Sequence, residues 1–436
     1  MFGKKVIIVI SLLAVALVFR LFSFYSSLKP YTDGEKLDVS FVLFKEPTVD
    51  GKFQKFSFTP EGRERVFVTA SSFPRYSYGQ ELHIRGTVKR QNIVAKNAKN
   101  GSSSDSTLLR RESVYNTMFF PTIEAKQVIW FSPLAVLRKN LITIFSTSLS
   151  PASESLLLGI VFGIRSTTPK TLTDNLRTTG VIHITAASGM NVTMVAGAVF
   201  FLLAGFLRRQ VAIIVGFMFV WTYAILAGLE PSILRASVMS SFAFGAGLLG
   251  RQNTGIFALF LTATLLLFIT PALLTDAGFL LSCFSTLGII LFGQVLGGGQ
   301  YLVDPLQKKE TESLFGGLRQ DMQTTIAAQA GAMPILFAYF GQYNLLSIIV
   351  NALILWTIPI LMVLGAIAAL LGLIFQPFAA VVLYLCLPLL FFIEYVVAFF
   401  ARYPVFIQFE SVSPFFVIGY YCIFFGIYLF FRSKRL

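Results

Sequence analysis

The sequence predicts a polytopic α-helical integral membrane protein of about ten spans, with a small amino-terminal β domain outside the membrane. Three observations lead there. Of 436 residues, 55% are hydrophobic and only 13% are charged, whereas a soluble domain carries roughly 25% charged residues. Mean hydropathy is +0.74, and long apolar runs fill the chain after about residue 150. Between residues 30 and 132 the pattern changes to short alternating segments with polar turns. So little charge cannot cover a water-soluble surface of this size. A soluble enzyme is excluded, and lipid is the expected solvent for most of the chain.

Residues 1–29 open with Lys4 and Lys5 and continue as the apolar run Val6–Phe19. No small-x-small cleavage pattern follows, so an uncleaved anchor with its positive end in the cytoplasm is expected. Residues 30–132 hold five strand-like segments: Leu37–Lys45, Lys52–Thr59, Arg65–Ala70, Glu81–Ala95 and Ile123–Trp130. Five strands in this length suit a small barrel of OB-like type. A polar loop lies between them at Asn97–Thr107. From Lys29 to Lys139 there are 18 basic and 11 acidic residues. That surplus suits either a solvated surface or a path for a phosphate backbone, with Phe73, Tyr76 or Tyr78 stacking on bases.

Residues 133–166 start with an amphipathic stripe, Leu134, Leu137, Leu141, Phe145 and Leu149, with Arg138, Lys139 and Asn140 off it. Pro151 then begins a helix too short to span, with Gly159 and Gly163 at close-packing spacing, which is re-entrant or packed against others. Residues 167–436 form the polytopic domain. Its expected spans are 181–207, 211–229, 232–249, 254–273, 275–296, 326–340, 345–373, 378–401 and 414–431, the long one tilting or breaking near Pro359. Basic clusters at Lys4–Lys5, Arg208–Arg209, Arg251, Lys308–Lys309 with Arg319, and Arg432–Lys434–Arg435 fall on one side. Both termini are therefore placed inside and the β domain outside.

Several chemistries are excluded. Cys283, Cys386 and Cys422 are dispersed in apolar stretches, and His83 and His183 are the only histidines. No metal site, disulfide framework or cofactor is expected. No GxxxxGK[ST] loop is present to hold ATP. The formal charge of +14 says little about nucleic acid, because positive cytoplasmic loops are usual in membrane proteins.

The chemistry that remains lies in polar residues within apolar surroundings. An ionisable group at mid-bilayer costs about 2.5–3.5 kcal/mol on insertion scales, so it usually faces a partner or water. Asp174, Arg177, His183, Ser188 and Asn191 fall in one Gly-, Ala- and Thr-rich stretch. A Ser188–His183 nucleophilic pair is disfavoured, because on a continuous helix the two side chains diverge by about 140°. The surrounding sequence also lacks the glycines of a GxSxG elbow. Glu230 and Pro231 precede Arg235, which is expected to pair with Glu230, Asp276 or a carbonyl, or else to meet phosphates as a bidentate donor. Asp276 suits a helix N-cap. Gln323, Gln329, Asn351 and Glu394 suit interhelical hydrogen bonds.

The segment His183-Ile184-Thr185-Ala186-Ala187-Ser188-Gly189-Met190-Asn191-Val192 resembles the HLLAISGLHV signature of the ComEC family of competence proteins. Pro231-Ser232-Ile233-Leu234-Arg235-Ala236-Ser237-Val238-Met239 resembles its PSVLRAxxM, and Asp276-Ala277-Gly278-Phe279-Leu280-Leu281-Ser282 its DxGFQLSF. Ala327–Pro334 followed by Phe340-Gly341-Gln342-Tyr343-Asn344-Leu345 resembles AAQLGTLP and FGQFSL. The four segments run in the family's order across about residues 150–375. Two positions depart from the pattern, Asn191 for a histidine and Leu280 for a glutamine, which weakens any mechanism that needs protonation there.

The resemblance implies a channel in the bacterial cytoplasmic membrane that passes one strand of transforming DNA. Its partners would be single-stranded DNA, a DNA-delivering receptor at the outer face, a cytoplasmic helicase, single-strand-binding proteins and the lipid bilayer. A homo-oligomeric pore is left open. Many relatives carry a carboxy-terminal metallo-β-lactamase-like nuclease domain, whereas this sequence stops at Leu436 after a span. The expectation is a non-enzymatic channel with any nuclease in a separate protein. Asp174, Arg177, His183, Ser188, Asn191, Glu230, Arg235, Asp276, Gln329 and Asn344 are the candidate channel-lining or substrate-binding residues, with none catalytic. A lipid or glycan exporter or flippase, and an intramembrane hydrolase, are the alternatives.

Overall fold

The computed structural model describes residues 4–44, 46–60, 62–93, 113–127, 132–164, 168–185, 189–250, 254–296, 314–408 and 413–433. Ser188, the 97–107 loop, and the basic residues Arg251, Lys308, Lys309, Lys434 and Arg435 lie outside them. The chain divides into two units, Met1–Thr143 with Leu267–Pro271, and Ile144–Leu266 with Ala272–Leu436.

The first unit starts with the apolar helix α1 (Lys4–Ser27). A sheet follows, made of β1 (Glu35–Val42), β2 (Thr48–Asp50), β3 (Phe53–Phe58), β4 (Val66–Ser71), β5 (Gln80–Ile93), β6 (Ser113–Phe119) and β7 (Thr122–Gln127). The strands alternate as a half-buried sheet requires. Val66, Val68 and Ala70 of β4 point inward while Phe67 points out. The core gathers Tyr31, Leu37, Leu43, Phe58, Leu82, Ile84, Val88 and Met118. β5 is the long shared strand, paired with β1, β6 and β7, and β4 runs parallel to β6.

Seven strands stand where five were expected. The additions are β2, a three-residue hairpin arm, and β6, whose polar centre hides its periodicity because Asn116 is buried there and donates to Glu64 Oε2 at 2.8 Å. The sheet order β1-β5-β6-β4-β3-β2 leaves β1 and β2 as open ends among the described strands, so strand pairing does not close the expected barrel. Side chains fill part of the seam instead. Phe41 stacks on Phe58 at 4.4 Å, Arg63 pairs with Glu35, and the Arg63 guanidinium lies 4.9 Å over the Tyr31 ring. A groove of about 630 Å³ runs along β1 and Phe58–Pro60.

Helix α2 (Ser132–Ser146) departs from its expected pattern at Arg138. That residue is buried, 4.7 Å over the Tyr78 ring and 3.6 Å from Glu46 Oε1. Tyr78 is itself buried and so presents no stacking face, and burial raises its hydroxyl pKa. Phe73 remains exposed, with the Arg75 guanidinium 5.9 Å from its ring.

The second unit contains α3 (Pro151–Phe162), α4 (Lys170–Thr178), a 3-10 turn at Ile182–Thr185, α5 (Gly189–Ala204), α6 (Arg209–Leu226) and α7 (Pro231–Leu248). Next come α8 (Gly255–Ile269), which ends in the first unit, a 3-10 turn at Pro271–Thr275, α9 (Ala277–Leu296) and α10 (Leu314–Phe340). The series closes with β8 (Gln342–Asn344), α11 (Ser347–Ile354), α12 (Thr357–Ile374), α13 (Gln376–Ala401), β9 (Phe406–Gln408) and α14 (Pro414–Ser433), with β8 antiparallel to β9.

Among the described residues α6, α12 and α13 are long and apolar enough to cross a membrane. Shorter apolar helices are Ser11–Ser27, Pro151–Phe162, Gly255–Ile269, Ala277–Gly293 and Phe415–Phe430. Helices α12 and α13 are apolar on both faces. Leu361, Ala368, Leu383 and Leu390 are buried, while Leu370, Ile374, Val381 and Leu385 are exposed, as a helix against lipid requires. The expected spans need revision at three places. Residues 181–207 hold a 3-10 turn, Ile182–Thr185, and then α5 from Gly189, so His183 lies outside α5. Residues 345–373 break at Leu355–Trp356 into α11 and α12, ahead of Pro359. Residues 326–340 are the end of the 27-residue helix α10.

Helices α9 and α10 cross in close backbone contact. A Cβ on Gly288 would lie 2.2 Å from the Ala327 carbonyl oxygen, and one on Gly331 would lie 2.2 Å from that of Phe284. The α14 tyrosines reinforce it. Tyr420 Oη donates to Ala330 O at 2.8 Å and Tyr421 Oη to Gly331 O at 2.9 Å.

Candidate functional site

The end of α3 shows how the candidate segments are tied together. An α-helix leaves its last carbonyls without intrahelical donors, and in an apolar unit each orphan is costly. Here the carbonyls from Leu158 to Val161 all find donors. Gly163, at φ +69, returns its N–H to Gly159 O at 3.0 Å, and Ile164 returns its N–H to Leu158 O at 3.2 Å. Asn191 Nδ2 donates to Ile160 O at 2.7 Å, and Tyr223 Oη donates to Val161 O at 3.0 Å. Asn191 is therefore a buried clamp between α3 and α5, and Tyr223 does the same from α6.

Arg235 lies one turn into α7 and is 5% exposed. Its Nε donates to Ser282 Oγ on α9 at 2.8 Å, and its Nη1 lies 3.5 Å from Met239 Sδ. Its Nη2 stands 2.7 Å from the place a Cβ on Gly189 would occupy, so glycine at the start of α5 leaves room for the guanidinium where it stands. Glu230 and Asp276 were expected partners, but among the described residues the guanidinium has no carboxylate partner. For Asp276 the reason is local: its Oδ1 is used as the cap of α9, accepting from Phe279 N–H at 2.9 Å. A guanidinium has more donors than these contacts use. A buried cation in this state is suited to an anion with several acceptor oxygens.

The sequence segments around residues 189, 235 and 282 thus meet at one side chain. A second cluster joins the others. Asn344, 4% exposed, donates from Nδ2 to Thr178 O at the end of α4 at 2.7 Å and accepts Leu346 N–H at 2.9 Å. Tyr343 Oη donates to Gln329 Oε1 on α10. Asp174 and His183 are exposed and Arg177 is half-buried. No described hydrogen bond places these three at the Arg235 junction. Sequence reading did not single out Tyr223 or Ser282 as site residues; both hydroxyls lie in apolar helices, and Ser282 is marked only as the last quoted residue of the third signature segment. Among the described residues no three His, Cys, Asp or Glu side chains converge on a metal site.

Residues 160–434 match the family described as Competence protein. ComE operon protein 3 of Bacillus subtilis (strain 168) is 27% identical over 236 residues, 54% of this chain and 28% of that protein. An uncharacterized protein of Aquifex aeolicus (strain VF5) is 29% identical over 39% of this chain and 42% of its own length. The uncharacterized protein YcaI of Escherichia coli (strain K12) is 24% identical over 51% of this chain and 29% of its own length. The chain thus spans less than half the length of each of these relatives. No solved structure matches it.

Proposed function

The chain belongs to the ComEC family of competence proteins, and from that premise we propose that it is the membrane conduit for single-stranded DNA entering the cell. Family membership and the apolar helices support reading it as a membrane protein with a role in DNA uptake. The observation that carries the finer reading is Arg235, a buried guanidinium without a carboxylate at the meeting point of α5, α7 and α9. A strand brings one charge per nucleotide, and a phosphate supplies the acceptors that Ser282 and Met239 leave unmet.

In this reading about ten spans cross the cytoplasmic membrane, both termini face the cytoplasm, and the β unit receives the strand outside. The β unit acts there as an OB-like module, with exposed Phe73 and its neighbour Arg75 available to stack on bases. The polypeptide performs no catalysis itself. A helicase and single-strand-binding proteins in the cytoplasm draw the strand inward, and a separate nuclease removes its complement.

Deleting the gene and following labelled duplex DNA tests the proposal. Surface-bound label persists while cytoplasmic label and transformants disappear. Unchanged cytoplasmic entry refutes the conduit and turns attention to lipid or glycan export.

A further inference from the structure

The sequence reading placed stacking residues only in the loop between β4 and β5, yet the aromatic surface of the β unit lies on its strands. In β3, β4 and β6 alternate residues point into the core and those between them point out. Phe53 on β3, Phe67 on β4 and Phe119 on β6 are outward and exposed. Phe119 lies beside Thr69, and Phe67 beside Thr117, so these two rings stand diagonally across neighbouring strands. Phe120 extends the face. It is 60% exposed at φ +50, a left-handed backbone that a bulky side chain rarely adopts. Its N–H donates to Thr69 O at 2.8 Å, and its ring centre is 5.7 Å from that of Phe53. The turn therefore holds a large apolar ring in solvent against both backbone preference and hydration.

The charge on this face is positive. No outward position of β3, β4 or β6 is acidic. Lys55 lies between the rings, opposite Thr69, and Lys89 on β5 lies opposite Thr117 at the border. The β2–β3 hairpin adds Asp50, across from Phe53, and Lys52, which offset each other. A cationic surface with bare rings suits a ligand that is anionic and presents free π-faces. A single strand offers both, whereas a duplex hides its base faces in its own stack and lipid head groups have none. We infer that the outward face of β3, β4 and β6 is a stacking platform for single-stranded nucleic acid. Phe53, Phe119 and Phe120 lie under the bases and Lys55 meets the backbone. The platform takes its cargo from the conduit reading and names the surface on which the β unit receives the strand.

Fluorescence anisotropy of a labelled oligothymidine of about 15 nucleotides, with the full chain in lipid nanodiscs, tests it. Wild type binds this strand more tightly than its duplex with oligoadenine. Phe53→Ser and Phe119→Ser each weaken binding about ten-fold, whereas Phe119→Trp keeps it. Phe120→Gly relieves the backbone, so it weakens binding without lowering the melting temperature. Lys55→Gln lowers the log–log salt slope by about 0.7. A wild type that does not bind, or that binds the duplex as tightly, overturns the inference. So does binding indifferent to the phenylalanine substitutions, the result expected if this face lies on the bilayer instead. Failure of the conduit reading shows elsewhere, as cytoplasmic entry unchanged by gene deletion, and leaves these affinities as they are.

Discussion

Alanine at Gly288 or Gly331 forces α9 and α10 apart. The new Cβ would lie 2.2 Å from a backbone oxygen of the facing helix and 3.1 Å from the Cα of the facing glycine. Carbon–oxygen contacts settle at about 3.3 Å or more, so the axes must separate by roughly 1 Å. Backbone cannot rotate aside as a side chain does. A gap of that size forfeits about a quarter to a half of each dispersion contact it opens. Overpacking of this kind costs about 1–3 kcal/mol, sometimes more, offset by up to ~1 kcal/mol from better helix propensity. The net expectation is a loss of about 1–2 kcal/mol for either substitution. Gly245→Ala on α7 is the control, because nothing lies within 4 Å of its Cβ position. The assay is unfolding by SDS titration in lipid micelles. The double substitution costs less than the sum, because the first alanine has already parted the helices. Single variants as stable as wild type, or a Gly245→Ala loss of equal size, refute the packing account.

Three further outcomes follow from the polar contacts. Tyr223→Phe and Asn191→Ala each orphan a buried carbonyl at the end of α3 and cost about 1–3 kcal/mol in the same titration; a neutral Tyr223→Phe would remove the clamp. Asn344→Ala breaks its bonds to Thr178 and Leu346 at a similar cost, and Asn344→Asp costs at least as much, because it turns a carboxylate oxygen toward the Thr178 carbonyl where the amide donated; an aspartate better tolerated than alanine would contradict the assigned donor. In the β unit, the Arg63 hydrogen bond and the Thr32 N–H hold the Glu35 pKa below the ordinary carboxylate value. Its stabilising contribution is complete above the unfolded carboxylate pKa and is lost as pH falls through the lowered folded value. Arg63→Met flattens that acid dependence, read by near-ultraviolet circular dichroism in urea at successive pH values; an unchanged pH profile would contradict it.

The outline of the protein was legible because lipid and water impose different patterns. The apolar runs located most helices, and alternation located the strands around Val66, Val68, Leu82 and Ile84. Failures fall where tertiary contacts override the local pattern. Arg138 reads as a polar-face residue but is buried on Tyr78, and β6 does not read as a strand because its centre is the polar Asn116, whose amide donates to Glu64 from another segment. The break between α11 and α12 was legible near Pro359, whose ring nitrogen cannot donate to the Leu355 carbonyl, and it falls at Leu355–Trp356 just ahead of that proline. The Asp276 cap was legible from its position before a helix, and Glu394 joins α13 to α3 through Ser153 as an interhelical hydrogen bond. The partner of Arg235 was not legible, because Ser282 is 47 residues away and, although it ends a signature segment, carries no charge to single it out over the carboxylates.

The measurement closest to the central claim is single-strand entry in cells carrying Arg235→Lys, scored against surface-bound DNA and the amount of inserted protein. Lysine keeps the charge but loses the planar fork that meets a phosphate while holding Ser282. The account predicts normal insertion and surface binding with strand entry reduced about ten-fold or more, ten-fold being equivalent to about 1.4 kcal/mol. Wild-type entry in that variant would contradict a phosphate contact at Arg235.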